Sequence, residues 1–183
     1  MHRRLVIGIL LACLLALPVL PALALGSGTP ISPANAVGVV ELARFGRGLV
    51  YDLAWTPDGG SLVVAGAPGV WVYNAADVTA APRLLAGHTE TVRSVDVSPT
   101  GALIVSGSVD DSVRLWDTAS GAQVLALQDA TTAARDLYVV RFFPDGSRVA
   151  AAGGDYTVHV WNTDGTLVYT LAGHTRTINA LAL

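Results

Sequence analysis

One repeat distance governs what this chain can become. A short apolar run ends in an aromatic residue followed by Asp or Asn at Tyr73-Asn74, Trp116-Asp117 and Trp161-Asn162, in steps of 43 and 45 residues. Turn signals recur in phase with these pairs, at Pro57-Asp58-Gly59, Pro99-Thr100-Gly101 and Pro144-Asp145-Gly146. Between the markers lie short runs rich in Val, Leu and aromatic residues, bounded by Gly, Pro, Asp or Thr, which is strand patterning. A period of about 40–45 residues holding several short strands is the spacing of a propeller blade.

The units superpose strand by strand. Strand a reads as Val50–Trp55, Val92–Val97 and Leu137–Phe143, and strand b as Ser61–Ala65, Leu103–Ser108 and Ser147–Ala152. Strand c follows as Val70–Tyr73, Val113–Trp116 and Val158–Trp161, and strand d as Arg83–Leu85, Gln123–Leu127 and Leu167–Leu171. The expected fold is all-β: a β-propeller of four-stranded antiparallel blades, with three complete repeats and the start of a fourth. The units run over about 38–88, 89–128 and 129–174, and the fourth covers 175–183 with Ile178–Leu183 as its strand a. No helical pattern interrupts the strands, which excludes parallel-sheet and helical-repeat folds. A β-sandwich also uses short, evenly spaced strands, but the in-phase repeat argues against it.

Composition matters mainly at the start. The chain is 52% hydrophobic and 14% charged, and part of that excess is local. Basic residues Arg3-Arg4 precede Leu5 to Leu25, a stretch free of charge, and Ala22-Leu23-Ala24 then leads into Gly26-Ser27-Gly28. This is the plan of a secretory signal peptide over 1–24 with cleavage after Ala24, followed by a linker over 25–37. Two readings compete with it. Residues 5–25 are long enough for an uncleaved membrane anchor, which Pro18 and Pro21 weaken. Lipid attachment at Cys13, the single cysteine, is opposed by the apolar residues after it. All three imply an exported chain. A cysteine-free mature domain rests on its core and sheet hydrogen bonds rather than on disulfides. Without Arg3 and Arg4 the formal charge moves from −3 to −5, and no Lys is present. That mildly acidic balance disfavours nucleic acid as a partner.

The second unit carries Gly87-His88, Ser98-Pro99, Ser106-Gly107, Asp110 and Trp116-Asp117. In these residues the chain resembles the WD-repeat propellers, in a bacterial-type, exported and incomplete form. The resemblance spans roughly residues 38–183. It implies a buried hydrogen-bonded chain in which His88 sits between the Ser106 hydroxyl and the Asp110 carboxylate while the Trp116 indole donates to Ser106. The third unit keeps Asp155 and Trp161, but Ala151 replaces the Ser and no Gly-His precedes its strand a. The first unit has Ala67 at the Asp position, Tyr73 at the Trp position and Gly46-Arg47-Gly48 in place of Gly-His.

Ser106, His88 and Asp110 also suggest a nucleophile–base–acid triad. The repeat instead puts them inside a sheet, where a satisfied polar network fixes register. No catalytic residue, cofactor site or metal site is expected. His159 alternates with Val158 and Val160 and reads as surface-facing, and no paired Cys, His-x-x-x-His or carboxylate cluster appears. Gly59-Gly60 and Gly153-Gly154 are followed by no helix, so neither is a phosphate loop.

By resemblance, recognition falls on the face formed by the d–a and b–c loops, at the second residue of strand a: Tyr51, Arg93, Tyr138 and Asn179. Tyr and Arg are enriched at interface hot spots, although they also cover ordinary sheet edges. The d–a connection Gln128 to Asp136 is a further contact candidate, or a neutral insertion. The expected function is a non-enzymatic, exported scaffold for a protein or peptide partner. A fragment of a secreted propeller enzyme and the sensor region of a larger signalling protein are the rivals. Membrane contact is expected only through an uncleaved N-terminal segment. Three units and a fragment do not readily close a ring, which suggests a truncated product. Val39–Arg44 reads as the spare strand that pairs with a last blade, and open sheet edges imply self-association.

Overall fold

A computed structural model describes residues 48–67, 69–127 and 136–183. The signal peptide, the linker, the Val39–Arg44 strand and the connection at 128–135 lie outside the described residues.

Twelve strands form among the described residues, in three four-stranded sheets. The first sheet holds β1 (Val50–Trp55), β2 (Ser61–Gly66), β3 (Val70–Asn74) and β4 (Arg83–Leu85). The second holds β5 (Val92–Val97), β6 (Leu103–Ser108), β7 (Val113–Asp117) and β8 (Gln123–Leu127). The third holds β9 (Leu137–Phe142), β10 (Arg148–Gly153), β11 (Thr157–Asn162) and β12 (Leu167–Ala172). Each sheet pairs its strands in chain order and antiparallel, so each repeat is one blade of an all-β partial propeller. No described residue is helical, and hence no helix is long and apolar enough to cross a membrane.

Several strands run one residue farther than the sequence reading placed them, as at Gly66, Asn74, Asp117 and Asn162, while β9 stops one residue short because a turn begins there. Phe143 leaves strand a since its N–H and carbonyl are turn partners of Arg148 and Gly146. The three Pro-x-Gly signals build the same turn: Gly59, Gly101 and Gly146 donate to the carbonyls of Thr56, Ser98 and Phe143, each at 2.8 Å. Their φ values of 69, 75 and 70° lie in the left-handed region that glycine enters without steric cost.

The blades stack face to face. Val63, Ala65, Val70, Val72 and Leu85 of the first blade pack against Val92, Val95, Val97, Ile104 and Trp116 of the second. The opposite face of the second blade presents Val105, Val113, Leu115 and Leu127 to Leu137, Val140, Phe142, Val149, Ala151 and Trp161 of the third. A blade between two neighbours is thus buried on both faces, and its strands read as apolar runs rather than clean alternation. Trp116 is fully enclosed at the first of these joints. Truncating such a side chain to Ala costs roughly 3–5 kcal/mol.

The fourth unit departs from expectation. Residues 173–183 form no strand. Ile178 donates its N–H to the Gly153 carbonyl at 3.2 Å and packs with Leu181 on Val139, Ala152 and Val158. The apolar contact is made, but among the described residues no strand lies beside the segment to supply a ladder, and a strand requires one.

Exposure at the two outer blades follows the same logic. Leu53 and Trp55 are each 54% exposed, whereas Val95 and Val97, their counterparts one repeat later, are buried. Leu171 is 53% exposed, while its counterparts Leu85 and Leu127 are buried.

Candidate functional site

The polar chemistry begins inside the second blade. The loop before β5 brings in His88, β6 carries Ser106, the β6–β7 turn carries Asp110 and β7 carries Trp116. Trp116 Nε1 donates to Ser106 Oγ at 2.8 Å, and His88 Nε2 lies 2.7 Å from the same oxygen. His88 Nδ1 lies 2.9 Å from Asp110 Oδ2. A single proton order satisfies the chain: indole to hydroxyl, hydroxyl to Nε2, and Nδ1–H to carboxylate. Ser112, which the sequence reading passed over, donates its hydroxyl to Asp110 Oδ1 at 2.6 Å.

The ionisation states follow from these contacts. Burial pushes His88 below its ordinary value, against the pull of Asp110, so its neutral form is favoured. Burial acts on Asp110 in the opposite sense, but Ser112, the Thr89 N–H and His88 outweigh it and hold Asp110 at about 2. Ser106 is completely buried and held by both Trp116 and His88. A substrate has no path to that hydroxyl, and His88, Ser106, Asp110 and Trp116 act as a structural clasp.

The third blade is wired differently, and the surface reading of His159 is overturned. His159 is 0% exposed. Its Nε2 lies 2.7 Å from Asp155 Oδ2, and its ring stacks on Trp161 with centroids 5.6 Å apart. The alternation with Val158 and Val160 was misleading because the neighbouring blade covers the face that His159 shares with Trp161. Ala151 stands directly opposite His159 in the ladder. With no hydroxyl at Ala151, Trp161 Nε1 is buried without a hydrogen-bond acceptor among the described residues. Asp155 from the β10–β11 turn and Trp161 from β11 therefore both meet His159, in a compact His–Asp pair. The Asp155–His159 spacing was the available sequence signal.

Three of the four expected recognition positions come together. The Arg93 guanidinium carbon lies 4.4 Å from the centre of the Tyr51 ring and 5.7 Å from that of Tyr138. One residue comes from each blade. The register shifts between Val50 and Asp52, between Val92 and Ser94, and between Ala152 and Gly153 opposite Tyr138. Each of the three therefore sits at a β-bulge, which frees it from the ladder and re-aims its side chain. Tyr138 also donates to Asp136 Oδ2 at 3.2 Å, and burial, with Asp136 beside it, raises the phenol's pKa. Asp136 in turn donates its N–H to Asp111 Oδ1 at 2.8 Å. Asn179 is exposed on the 173–183 segment and makes no described contact with this row.

A second line, absent from the sequence reading, ties the innermost strands together. Asp52 Oδ2 accepts from Ser94 Oγ at 2.7 Å and from the Val95 N–H at 3.2 Å. Arg141 Nη1 reaches the same oxygen at 3.2 Å and Ser94 Oγ at 3.0 Å. Asp96 Oδ2 accepts from the Phe142 N–H at 2.8 Å. These bonds join the a strands of three successive blades and hold the bulged residues in one array. Among the described residues no three His, Cys, Asp or Glu side chains gather to hold a metal ion.

The model of the WD40 family (WD domain, G-beta repeat) matches residues 81–117 and 128–162. The chain is 35% identical over 119 residues to the Polycomb group protein FIE2 of Zea mays, an alignment covering 61% of this chain and 31% of that protein. It is 32% identical over 152 residues to human Coronin-7, covering 72% of this chain and 16% of that protein. It is 34% identical over 96 residues to the transcriptional corepressor LEUNIG_HOMOLOG of Arabidopsis thaliana, covering 52% and 12%. The chain spans less than a third of each of these eukaryotic proteins.

Proposed function

We propose that this chain, whose WD40 repeats lie within blades of a partial β-propeller, is a non-enzymatic scaffold that binds a protein or peptide partner through the loop face around strand a. The observation that carries the reading is the row Tyr51–Arg93–Tyr138. Three blades contribute one side chain each, all at bulges, and aromatic and Arg side chains are those that dominate interface energies. The similarity to a transcriptional corepressor and to a Polycomb group protein supports the same function class. The clasp in the second blade and the His159–Asp155 pair in the third serve this role by stiffening the array. A rigid surface loses little entropy when a partner docks.

Export belongs to the proposal as well, and it rests on the basic start, the apolar run and the Ala22-Leu23-Ala24 site. A fusion of residues 1–37 to a reporter active only outside the cytoplasm tests it. Reporter activity is expected, and a silent, cell-retained fusion overturns it.

For the binding function, the immobilised chain is screened against a random peptide library, and enriched peptides are titrated by fluorescence polarisation. Saturable binding that Tyr51→Ala and Tyr138→Ala each weaken severalfold is expected. Binding untouched by both substitutions moves the site elsewhere, and no saturable binding to the folded chain overturns the scaffold reading.

A further inference from the structure

The arginines of the described residues differ in what they hold, and Arg148, outside the recognition row, also rests on a ring, its guanidinium carbon 4.4 Å from the centre of Phe143. Arg83 donates to the carbonyls of Thr118 and Ala119. Arg114 donates to Ser112 and Gln123, and Arg141 to Asp52, Ser94 and the Val140 carbonyl. Arg93 alone in the recognition row carries a full positive charge, and its described partners are the faces of Tyr51 and Tyr138. Its Nε is buried with no acceptor among the described residues. The two carboxylates at the Tyr138 end of the row are occupied, Asp136 by the Tyr138 hydroxyl and Asp111 by the Asp136 N–H.

A guanidinium in this state is a prepared half of an ion pair. Contact with two ring faces fixes its plane and has already removed part of its hydration, and a guanidinium is weakly hydrated to begin with. With the ε N–H buried, the terminal amino groups remain as a fork. A planar fork of two parallel N–H donors matches a carboxylate, which accepts both bonds at once. The rings beside it offer apolar faces to whatever side chains flank that carboxylate.

We propose that Arg93 is the specificity-determining residue of the recognition row and that it selects partner peptides carrying an Asp or Glu side chain, bound end-on between Tyr51 and Tyr138. This rests on the scaffold reading and narrows it to one partner chemistry. Arg93 supplies the charge and the fork. Tyr51 and Tyr138 keep the fork in plane and exclude water from it.

The test uses the full chain and an array of 12-residue peptides in three sets: unmodified random sequences, the same sequences with every Asp and Glu replaced by Asn and Gln, and a set bearing one phosphoserine. The expected binders share a carboxylate at one position. Its replacement by the amide weakens binding about tenfold, as for a charge-assisted pair. Arg93→Ala and Arg93→Gln produce the same loss and make the peptide's amide replacement silent. Arg93→Lys restores only part of the affinity, because it keeps the charge without the fork. Thermal melts of all three variants confirm that they fold. Peptides that bind equally well with and without carboxylates, and to both Arg93→Ala and the unaltered chain, overturn the carboxylate selection and leave the scaffold reading standing. Binding confined to the phosphoserine set overturns it too, in favour of phosphate recognition. No binding from any set by the folded chain overturns the scaffold reading itself.

Discussion

Ala151 faces His159 across the β10–β11 ladder at the place where the second blade pairs Ser106 with Arg114. One position has lost a hydroxyl, and the side chain opposite has become an imidazole. The exchange leaves Asp155 with a His partner but Trp161 without an acceptor for its indole N–H among the described residues.

Restoring the hydroxyl should therefore stabilise the third blade. Ala151→Ser gives Trp161 Nε1 a potential acceptor, and a net hydrogen bond contributes about 1 kcal/mol. Ser106→Ala in the second blade removes the partner of both Trp116 and His88 and should cost roughly 1–3 kcal/mol. Urea unfolding of both variants reads the two effects. A destabilised Ala151→Ser protein would count against this account of the third blade.

Acid should loosen the second blade before the rest. Asp110 is held at about 2, below the ordinary carboxylate value of 3.8, so its stabilising contribution is present above 3.8 and lost as pH falls towards 2. His88 is also lowered, from 6.5, so the unfolded chain binds its proton more readily than the folded one. Stability from His88 is thus full above 6.5 and declines as pH falls below it. The two shifts act in the same direction. Thermal melts between pH 7.5 and about 3 should fall steadily with acid. The His88→Asn protein should show a flatter dependence below about 6.5.

Close approach makes one glycine irreplaceable. A Cβ on Gly153 would lie 2.1 Å from the Asp136 carbonyl oxygen, which is backbone and cannot swing aside. Gly153→Ala should cost on the order of 1–3 kcal/mol, the range for forced overpacking. Because Gly153 also accepts the Ile178 N–H, hydrogen exchange at Ile178 should speed up in the variant.

The positions of the twelve strands and the turn glycines were legible in the sequence because each is fixed locally. A Pro-x-Gly turn, an aromatic–Asp end and a run of β-branched residues each announce themselves within six residues or so. The clasp of His88, Ser106, Asp110 and Trp116 was legible through family resemblance. The role of His159 was hidden because period-two alternation separates core from solvent only when one face of a sheet is wet. In a stacked blade both faces are dry, and the alternation merely assigns neighbours. The Asp52–Arg141 contact was out of reach for another reason. It joins residues 89 positions apart, and its partners are set by how blades stack, which no local pattern encodes.

That contact supports an unequal pair of outcomes. Arg141 and Asp52 are both partly solvated, and such a pair contributes about 0–1 kcal/mol, so Arg141→Ala should be mild and its effect should shrink in high salt. Asp52→Ala also removes the acceptor for Ser94 Oγ and the Val95 N–H. It should cost more, roughly 1–3 kcal/mol, and depend less on salt. Denaturant midpoints at two salt concentrations separate the two cases.

The outer blades predict association. Leu53, Trp55 and Leu171 expose apolar surface at positions that are buried elsewhere in the stack. Exposed patches of this kind drive contact between molecules. Sedimentation should show weight-average mass rising with concentration. Leu53→Arg and Leu171→Arg should each reduce the rise while leaving the thermal melt nearly unchanged. A monomer at every concentration would overturn the prediction.

The bulges in β1, β5 and β9 have a consequence for how this surface can change over time. A bulged residue is outside the ladder, so its identity is decoupled from the hydrogen bonds that hold its blade. Tyr51, Arg93 and Tyr138 thus occupy equivalent sockets in three successive blades. A single codon change at any of them alters what the surface prefers without asking the frame to refold, and an added repeat lengthens the row by one socket. Folding and selectivity are written at different addresses in the same strand.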